Sequence, residues 1–377
     1  MRVVVIGAGL GGLCLAQGLR GAGIEVQVYE RDAGVQARFQ GYRIGLGGPG
    51  LEALRRCLPP RLRPLLDAIG GELSGEGRVV DPGLRELGRI PEADEGLLFD
   101  RHVLRHLLLH GLADRVHFGK SLNRYRELSD GTVRAEFADG STASGDVLVG
   151  ADGMGSTVRR QLLPSVEILD TGVSGVIGRT TMNERFAALV PGWSTLVQGE
   201  HRQLFLGKMP FHRSPHLAAA ELAPDVFLPE TASYLRWVML VPAGGPIDLQ
   251  REYAGQDGIE VVLDLIHDWH PDLRELIRQG DRRNSGVGPI RYAKPYAPWQ
   301  TRAVTLLGDS AHPLPPGGLG ANLAFADAER LTTTLGETTD LRACLATYED
   351  RMRTAAATVY HEAMAKLPIF EHLVQDR

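Results

Sequence analysis

The chain has 377 residues, of which 43% are hydrophobic and 23% charged, and its formal net charge is −5. This length predicts two domains, and the negative charge argues against nucleic acid as the main partner. No apolar run is long enough to span a bilayer, and three widely spaced cysteines, Cys14, Cys57 and Cys344, exclude a disulfide framework or a CxxC metal site. We therefore expect a soluble, cytoplasmic protein.

Residues 2–31 have the pattern of a complete dinucleotide-binding unit. Val3–Ile6 predicts one short buried strand, and the GxGxxG sequence of Gly7–Gly12 follows it directly at the start of a helix-like apolar pattern. A second strand is predicted at Val26–Tyr29 and ends at Glu30, where an acid that binds a ribose is expected. The glycines allow a tight turn and a close approach of backbone to pyrophosphate, and the helix N-terminus offers unpaired N–H groups to the phosphates.

The rest of the chain changes between helical and strand patterns. Asp100–His110 carries leucines on one face and predicts a helix, as does Leu51–Cys57. Residues 116–150 alternate and turn like a β-meander, and residues 170–290 hold longer alternating strands. The other predicted elements are strands at Val116–Phe118, Val133–Phe137, Val147–Val149, Ser194–Leu206, Tyr234–Val241 and Val304–Leu307, a helix at Ile259–Ile266, and mostly helix from Ala321 onward. A β-rich segment thus interrupts a nucleotide-binding domain, which then resumes.

Two further motifs each combine a strand, a turn with glycine and aspartate, and a helix start. The first, within Val147–Arg159, contains Asp152 followed by glycine, and the second, within Thr305–Ala328, contains Gly308 followed by Asp309. Such turns set a carboxylate against sugar hydroxyls and backbone N–H groups against phosphate or a ring carbonyl. A single Asp-Gly is usually only a turn, but three such motifs in order favour a cofactor site.

The three motifs GxGxxG, DG and GD, in this order and spacing, resemble the single-component FAD-dependent monooxygenases of the para-hydroxybenzoate hydroxylase fold. The resemblance implies an α/β fold in which a Rossmann-like FAD-binding domain is interrupted by a β-rich substrate domain and followed by C-terminal helices. The implied FAD-binding parts are residues 1–75, 100–168 and 289–340, the implied substrate-domain parts are residues 76–99 and 169–288, and the C-terminal helices are residues 341–377.

The same resemblance implies which residues hold FAD. Glu30 would bind the adenosine ribose with Arg31 beside it, Arg101 would reach the ribose or pyrophosphate, and the backbone of Leu122 would meet the adenine. Asp152 would stabilise the pyrophosphate region, and Asp309 would bind its ribityl or pyrophosphate part. The remaining implied contacts are Gly7, Gly9, Leu10, Gly11, Gly12, Gly308, Gly318, Leu319, Gly320, Ala321 and Asn322, the last five with backbone N–H groups at the N1/O2 edge of the flavin.

For the flavin ring, the resemblance implies residues that surround the ring, but no catalytic triad of side chains. Arg38 would lie near the isoalloxazine, with Arg43 as an alternative for that role, and Pro315 and Pro316 would wall the face where oxygen reacts. The segment from His312 to Asn322 is one residue shorter than the family pattern.

The implied activity is that of an NAD(P)H- and O2-dependent monooxygenase acting through a flavin C4a-hydroperoxide, with NAD(P)H as a transient co-substrate. The substrate would be an electron-rich aromatic or polyketide-like molecule, hydroxylated or, as an alternative, epoxidised or oxidised by Baeyer–Villiger insertion. Phe205, Phe211 and Trp237 are candidates for an aromatic substrate pocket, although large apolar strand residues more often form core.

Several other interpretations stay open or are set aside. An FAD-dependent reductase without oxygen transfer, or a non-enzymatic escort protein, could share this fold, whereas the Trp-x-Trp-x-Ile-Pro signature of halogenases is missing. His312 is expected to make a structural contact, not to act as a general base. His106 and His110 have a spacing that a metal could use, but a solvated helix face is expected and no metal. A monomer or weak dimer is expected.

Overall fold

The structure is a computed structural model, and it describes residues 1–37, 41–72, 74–92, 96–242, 258–314, 318–337 and 340–365. The strands described are β1 (Arg2–Ile6), β2 (Glu25–Tyr29), β3 (Arg43–Gly47), β4 (Gly71–Glu72), β5 (Gly77–Val80), β6 (Glu86–Ile90), β7 (Gly96–Asp100), β8 (Val116–His117), β9 (Leu122–Glu127), β10 (Val133–Phe137), β11 (Thr142–Gly145), β12 (Val147–Gly150), β13 (Leu169–Thr181), β14 (Ser194–Gly199), β15 (Arg202–Met209), β16 (Tyr234–Pro242), β17 (Gly286–Tyr292) and β18 (Val304–Leu306). The helices described are α1 (Leu10–Gly21), α2 (Gly48–Cys57), α3 (Arg63–Ala68), α4 (Arg101–Leu109), α5 (Thr157–Leu162), α6 (Glu184–Ala187), α7 (Pro215–Leu222), α8 (Gly258–Leu265), α9 (Pro271–Arg278), α10 (Leu319–Glu337) and α11 (Leu341–Ala365).

A parallel five-stranded sheet, in the order β18-β12-β1-β2-β8, forms the nucleotide-binding part of the fold. Its strands are apolar and buried, as expected for a parallel sheet covered on both faces. Ile6 pairs with Gly150, and Gly150 pairs with Leu306, so β1, β12 and β18 end in one row. The three predicted motifs therefore begin side by side at the carboxyl edge of this sheet, which confirms the predicted α/β class.

A seven-stranded sheet, in the order β17-β13-β16-β15-β14-β5-β6, forms the β-rich part. All its pairs are antiparallel except β14 with β5. One face packs on α8 and α9 and forms a second core that includes Leu235, Trp237 and Met239. The other face packs in part against the nucleotide domain, where Tyr234 and Met209 cluster with Tyr42 of the segment before β3.

Several predicted elements differ from the structure. The strand predicted at Ser194–Leu206 is a hairpin, because the chain turns at His201, which has a positive φ of 54°. The meander predicted over residues 116–150 consists only of β9, β10 and β11, whereas β8 and β12 belong to the parallel sheet. Among the described residues, no helix combines the length and apolar character needed to cross a membrane.

Candidate functional site

The loop between β1 and α1 leaves an open space at its second glycine. Gly7 has a φ of 110°, and a Cβ added there would lie 2.3 Å from the Ala151 carbonyl oxygen. A Cβ at Gly12 would lie 2.1 Å from the Gly7 oxygen, so both positions need glycine for the packing of the chain itself. A Cβ at Gly9 would meet nothing within 4 Å, and no side chain caps α1 at this residue. The loop thus presents backbone N–H groups that no side chain caps, beside an open position at Gly9, which is the arrangement of a phosphate-binding helix N-terminus.

Glu30 lies at the end of β2 and is buried beside this loop. Its carboxylate accepts hydrogen bonds from the backbone N–H groups of Ala8 (2.8 Å) and Asp32 (2.9 Å). The Arg105 guanidinium lies 3.7 Å from the same carboxylate and donates to the carbonyl oxygens of Ala8 and Val35. Each carboxylate oxygen keeps acceptor capacity for a further donor, so Glu30 fits a sugar hydroxyl while it fixes the glycine loop.

The DG motif is tied to the GD motif by hydrogen bonds. The Asp152 carboxylate accepts from the Ser156 hydroxyl (2.5 Å), from the Thr157 N–H (2.7 Å) at the start of α5, and from the Ser310 hydroxyl (3.2 Å). The Arg159 guanidinium is buried and donates to the carbonyl oxygens of Met154, Asp309 and Ser310. These bonds make the two turns one rigid unit.

Asp309 lies in the GD turn, where its side chain is exposed to solvent but has protein around it. Its side chain is exposed, yet the surrounding protein raises the pKa of its carboxyl by desolvation, against the opposing effects of Arg101, His312 and Arg159. A Cβ at Gly320 would lie 3.1 Å from the Asp309 carboxylate, which places this acid at the start of α10. An accessible, partly desolvated carboxylate at a helix start is suited to bind the hydroxyl groups of a cofactor chain.

Asn322 joins the start of α10 to β3. Its amide oxygen accepts from the Gly47 N–H (2.9 Å), and its amide nitrogen donates to the carbonyl oxygens of Gly45 (3.0 Å) and Gly318 (3.1 Å). The observed contacts are those of a side chain that positions the first turn of α10, where the sequence predicts backbone contacts to the flavin.

His312 makes the structural contact that was expected. Its Nε2 lies 2.8 Å from the buried Asp327 carboxylate, which also accepts from the Gly308 N–H (3.2 Å) and lies 3.3 Å from Arg330. The His312 N–H donates to the Gly308 carbonyl oxygen. Asp327, on α10, thus holds the GD turn in place.

The face of the seven-stranded sheet opposite α8 and α9 forms a partly exposed apolar wall. Ile177, Phe205 and Val238 lie on this face and are only partly buried, and the pocket role of Phe205 stays a prediction. Phe211 lies next to this face, packed against Met209 and its neighbours. The interpretation of Trp237 as a pocket residue is corrected: it is 0% exposed on the α9 side, and its indole N–H donates to the Thr180 hydroxyl.

Two arginines on this wall were not predicted as a pair. Arg236 lies on β16 directly across from Gly207 of β15. The Arg43 guanidinium rests on Gly207 and donates to the Lys208 carbonyl oxygen. Burial, and then the charge of Arg236, lower the pKa of Arg43. The alternation of Tyr234–Pro242 could have indicated Arg236, since it shares a face with Tyr234 and not with the core residue Trp237.

A polar cluster beside the arginine pair joins the two sheets. The Tyr234 hydroxyl donates to the Asp100 carboxylate (2.9 Å), which also caps α4. The Arg179 guanidinium lies over the rings of Tyr42 (5.3 Å) and Tyr234 (5.4 Å) and pairs with Asp281 (3.1 Å). The acids near the arginine pair therefore already have partners.

Some predicted site residues are not tested by these contacts. Arg38, Pro315 and Pro316 lie outside the described residues, as does part of the short segment before Asn322. Arg31 is exposed at the surface, and Leu122 is buried at the start of β9.

The two histidines of α4 do not share a site. His106 packs on the rings of His102 and Phe227, where burial lowers its pKa to about 4. This half-buried position corrects the expected solvated face. His110 instead contacts Arg61 and Asp225. Within the described ranges, no group of three or more potential ligands could hold a metal ion.

Comparison with known proteins agrees with the geometry. Residues 285–363 match the FAD binding domain family, and residues 5–57 match the NAD(P)-binding Rossmann-like domain family. A solved structure from Photorhabdus luminescens subsp. laumondii, described as an FAD-containing monooxygenase, superposes with a TM-score of 0.81 at 30% identity, covering 97% of both chains.

Two curated relatives differ in how much of their length this chain spans. The FAD-dependent urate hydroxylase of Klebsiella pneumoniae is 29% identical over 94% of this chain and 87% of its own length. The dual O-methyltransferase/FAD-dependent monooxygenase elcB of Phaeosphaeria nodorum is 33% identical over 87% of this chain, but the match spans only 39% of that longer protein. The resemblance inferred from the three motifs is thereby confirmed, and the chain belongs to the family of FAD-dependent monooxygenases.

Proposed function

We propose that this protein uses FAD, NAD(P)H and O2 to hydroxylate an electron-rich aromatic or polyketide-like small molecule. The observation that carries the proposal is the alignment of the three predicted cofactor turns in one row at the edge of the parallel sheet. The second sheet adds a partly exposed apolar face, which clusters with Tyr42 of the segment before β3. The name of one relative, the FAD-dependent urate hydroxylase, supports a ring-containing substrate.

The residues of the site would hold FAD in the following arrangement. The space at Gly9 and the α1 N-terminus would take the pyrophosphate, Glu30 would accept from the adenosine ribose, and Asp309 would bind the chain between ring and phosphate. The start of α10, positioned by Asn322, would direct its N–H groups and its positive dipole end at the developing negative charge of the reduced ring.

When bound, FAD would accept a hydride from NAD(P)H and activate dioxygen, and the side chains would orient the reactants and exclude water. The wall formed by Ile177, Phe205 and Val238 would hold the ring of the substrate. The same apolar side chains would exclude water from the site and so limit side reactions. This chemistry does not need an acid–base triad of side chains.

The test is the absorption spectrum of the purified protein, followed by NAD(P)H oxidation in air with phenolic and polycyclic aromatic compounds. We expect bound flavin, oxidation stimulated by particular compounds, and one added oxygen atom in the product by mass spectrometry. Bound flavin that is reduced without any oxygenated product would instead favour a reductase. A protein without flavin, even after reconstitution, would contradict both and favour a binding protein.

We further propose a cytoplasmic location and a monomer or weak dimer. The three cysteines are free and buried, which suits a reducing compartment.

A further inference from the structure

We propose that Arg43 and Arg236 form an anion subsite in the substrate pocket, and that the molecule oxidised here carries an ionised oxygen substituent, a carboxylate or a phenolate. This inference rests on the proposed monooxygenase function, because it names the class of molecule that the pocket selects.

The first step is the position of the Arg43 guanidinium, which lies against Gly207, the residue directly across from Arg236. Arg236 on β16 pairs with Gly207 on β15, and paired residues of antiparallel strands project to the same face. A Cβ at Gly207 would lie 2.2 Å from Nη2 of Arg43, so the missing side chain is what lets Arg43 enter. Arg43 is held there by its bond to the Lys208 carbonyl oxygen. Arg43 and Arg236 are therefore neighbours on this face of the sheet, and the charge of Arg236 acts on Arg43.

The second step is the lack of a counter-charge. In the part of the chain that the structure describes, the Nε atom of Arg236 is buried and has no hydrogen-bond partner. Asp100 is engaged by Tyr234 and the α4 N-terminus, and Asp281 is engaged by Arg179. Two partly desolvated cations side by side are costly unless an anion joins them. Both remain partly exposed, so an anion from solution can reach them.

The third step is the surface around the pair. Ile177, Phe205 and Val238 lie on the same face of the sheet and are partly exposed. A ligand that covers this wall and meets the arginines needs an apolar ring and an oxyanion. The planar guanidinium fork matches two oxygens of a carboxylate or the single oxygen of a phenolate.

The experiment measures binding without turnover. The flavin-containing protein is titrated by calorimetry with two series of ligands. The first is hydroxyaromatic carboxylic acids of one to three rings, compared with their primary amides. The second is ionised phenols, compared with their methyl ethers. The variants are Arg236→Gln, Arg236→Lys and Gly207→Ala, which displaces Arg43. Arg185→Gln is the matched control, since Arg185 lies in the same domain but pairs with Asp272 at the surface.

We expect at least one anion series to bind about tenfold or more tightly than its neutral partners. Arg236→Gln should weaken that anion by about 10- to 100-fold and the neutral partner by less than about threefold, as for loss of a charge-assisted hydrogen bond. Arg236→Lys and Gly207→Ala should give intermediate losses, and Arg185→Gln should have no effect. Flavin content and thermal unfolding verify that each variant is folded.

The inference is overturned if no anion binds better than its neutral partner, or if folded Arg236→Gln still discriminates as the wild type does. Tighter binding of the carboxylic acids than of their amides identifies a carboxylate substrate. Tighter binding of the phenols than of their methyl ethers identifies a phenolate substrate. Oxygenated product is assayed separately on the same protein. Discrimination without any such product would support the subsite and contradict only the proposed oxygen transfer.

Discussion

Replacing Gly9 by alanine should separate cofactor binding from folding. Gly9 has φ −73° and ψ 178°, which alanine adopts without strain, and its Cβ would touch no protein atom within 4 Å. The small loss from alanine at a helix N-cap is opposed by the gain from a less flexible unfolded chain, so the free energy of unfolding of the apoprotein should change by no more than about 1 kcal/mol.

The same methyl group would occupy the space where we place the pyrophosphate. If it displaces the phosphates from two backbone N–H groups of the α1 N-terminus, two charge-assisted hydrogen bonds are lost, at about 1.5–3 kcal/mol each. The FAD dissociation constant should then rise by about two to four orders of magnitude. Quenching of flavin fluorescence on titration of the apoprotein measures this constant, and urea unfolding measures stability.

Gly21→Ala is the matched control, because Gly21 is at the other end of α1 and a Cβ there also meets nothing within 4 Å. It should leave FAD affinity unchanged. Gly12→Ala should instead impair folding, since its Cβ would lie 2.1 Å from the Gly7 oxygen. An FAD affinity of Gly9→Ala within about threefold of wild type would refute the placement of the pyrophosphate, because the predicted loss of two such hydrogen bonds is far larger.

Three further predictions concern buried polar groups. Glu30→Gln should weaken FAD binding by about tenfold in the same fluorescence titration, because an amide cannot accept from two N–H groups and a ribose as a carboxylate does; unchanged affinity would exclude the ribose role. Arg159→Met should lower the free energy of unfolding in urea by about 2–4 kcal/mol, since three carbonyl oxygens lose their donor, whereas the neighbouring exposed Arg160→Met should cost less than about 0.5 kcal/mol. Burial raises the pKa of Glu349 in the folded protein, so the stability of the wild type should fall as pH rises from the unfolded pKa through the folded pKa. Glu349→Gln should therefore gain stability relative to wild type on going from pH 4 to pH 7 in thermal unfolding, and a constant difference would contradict this.

The cofactor turns could be predicted from sequence because their chemistry is local. A glycine with positive φ at Gly7, a short buried strand before it and an acid at Glu30 are constraints within thirty residues. What joins the turns is not local. The bonds from Arg159 to the carbonyl oxygens of Asp309 and Ser310 span about 150 positions of sequence, and no pattern around Arg159 indicates them.

The proposed substrate wall shows a second limit of prediction from sequence. Which face of a strand becomes core depends on what covers each face, and the sequence of the strand does not contain this information. In Tyr234–Pro242, Trp237 is the largest apolar residue, and its aromatic ring makes it a pocket candidate from sequence. The glycines at 178 and 280 leave room for its ring beneath α9, so the large side chain became core. The opposite face then had to contain Arg236, a charged residue in an otherwise apolar strand with no acid across from it. An unpaired charge at such a position is costly in a purely structural sheet, and this cost is the reason to assign the face to ligand binding.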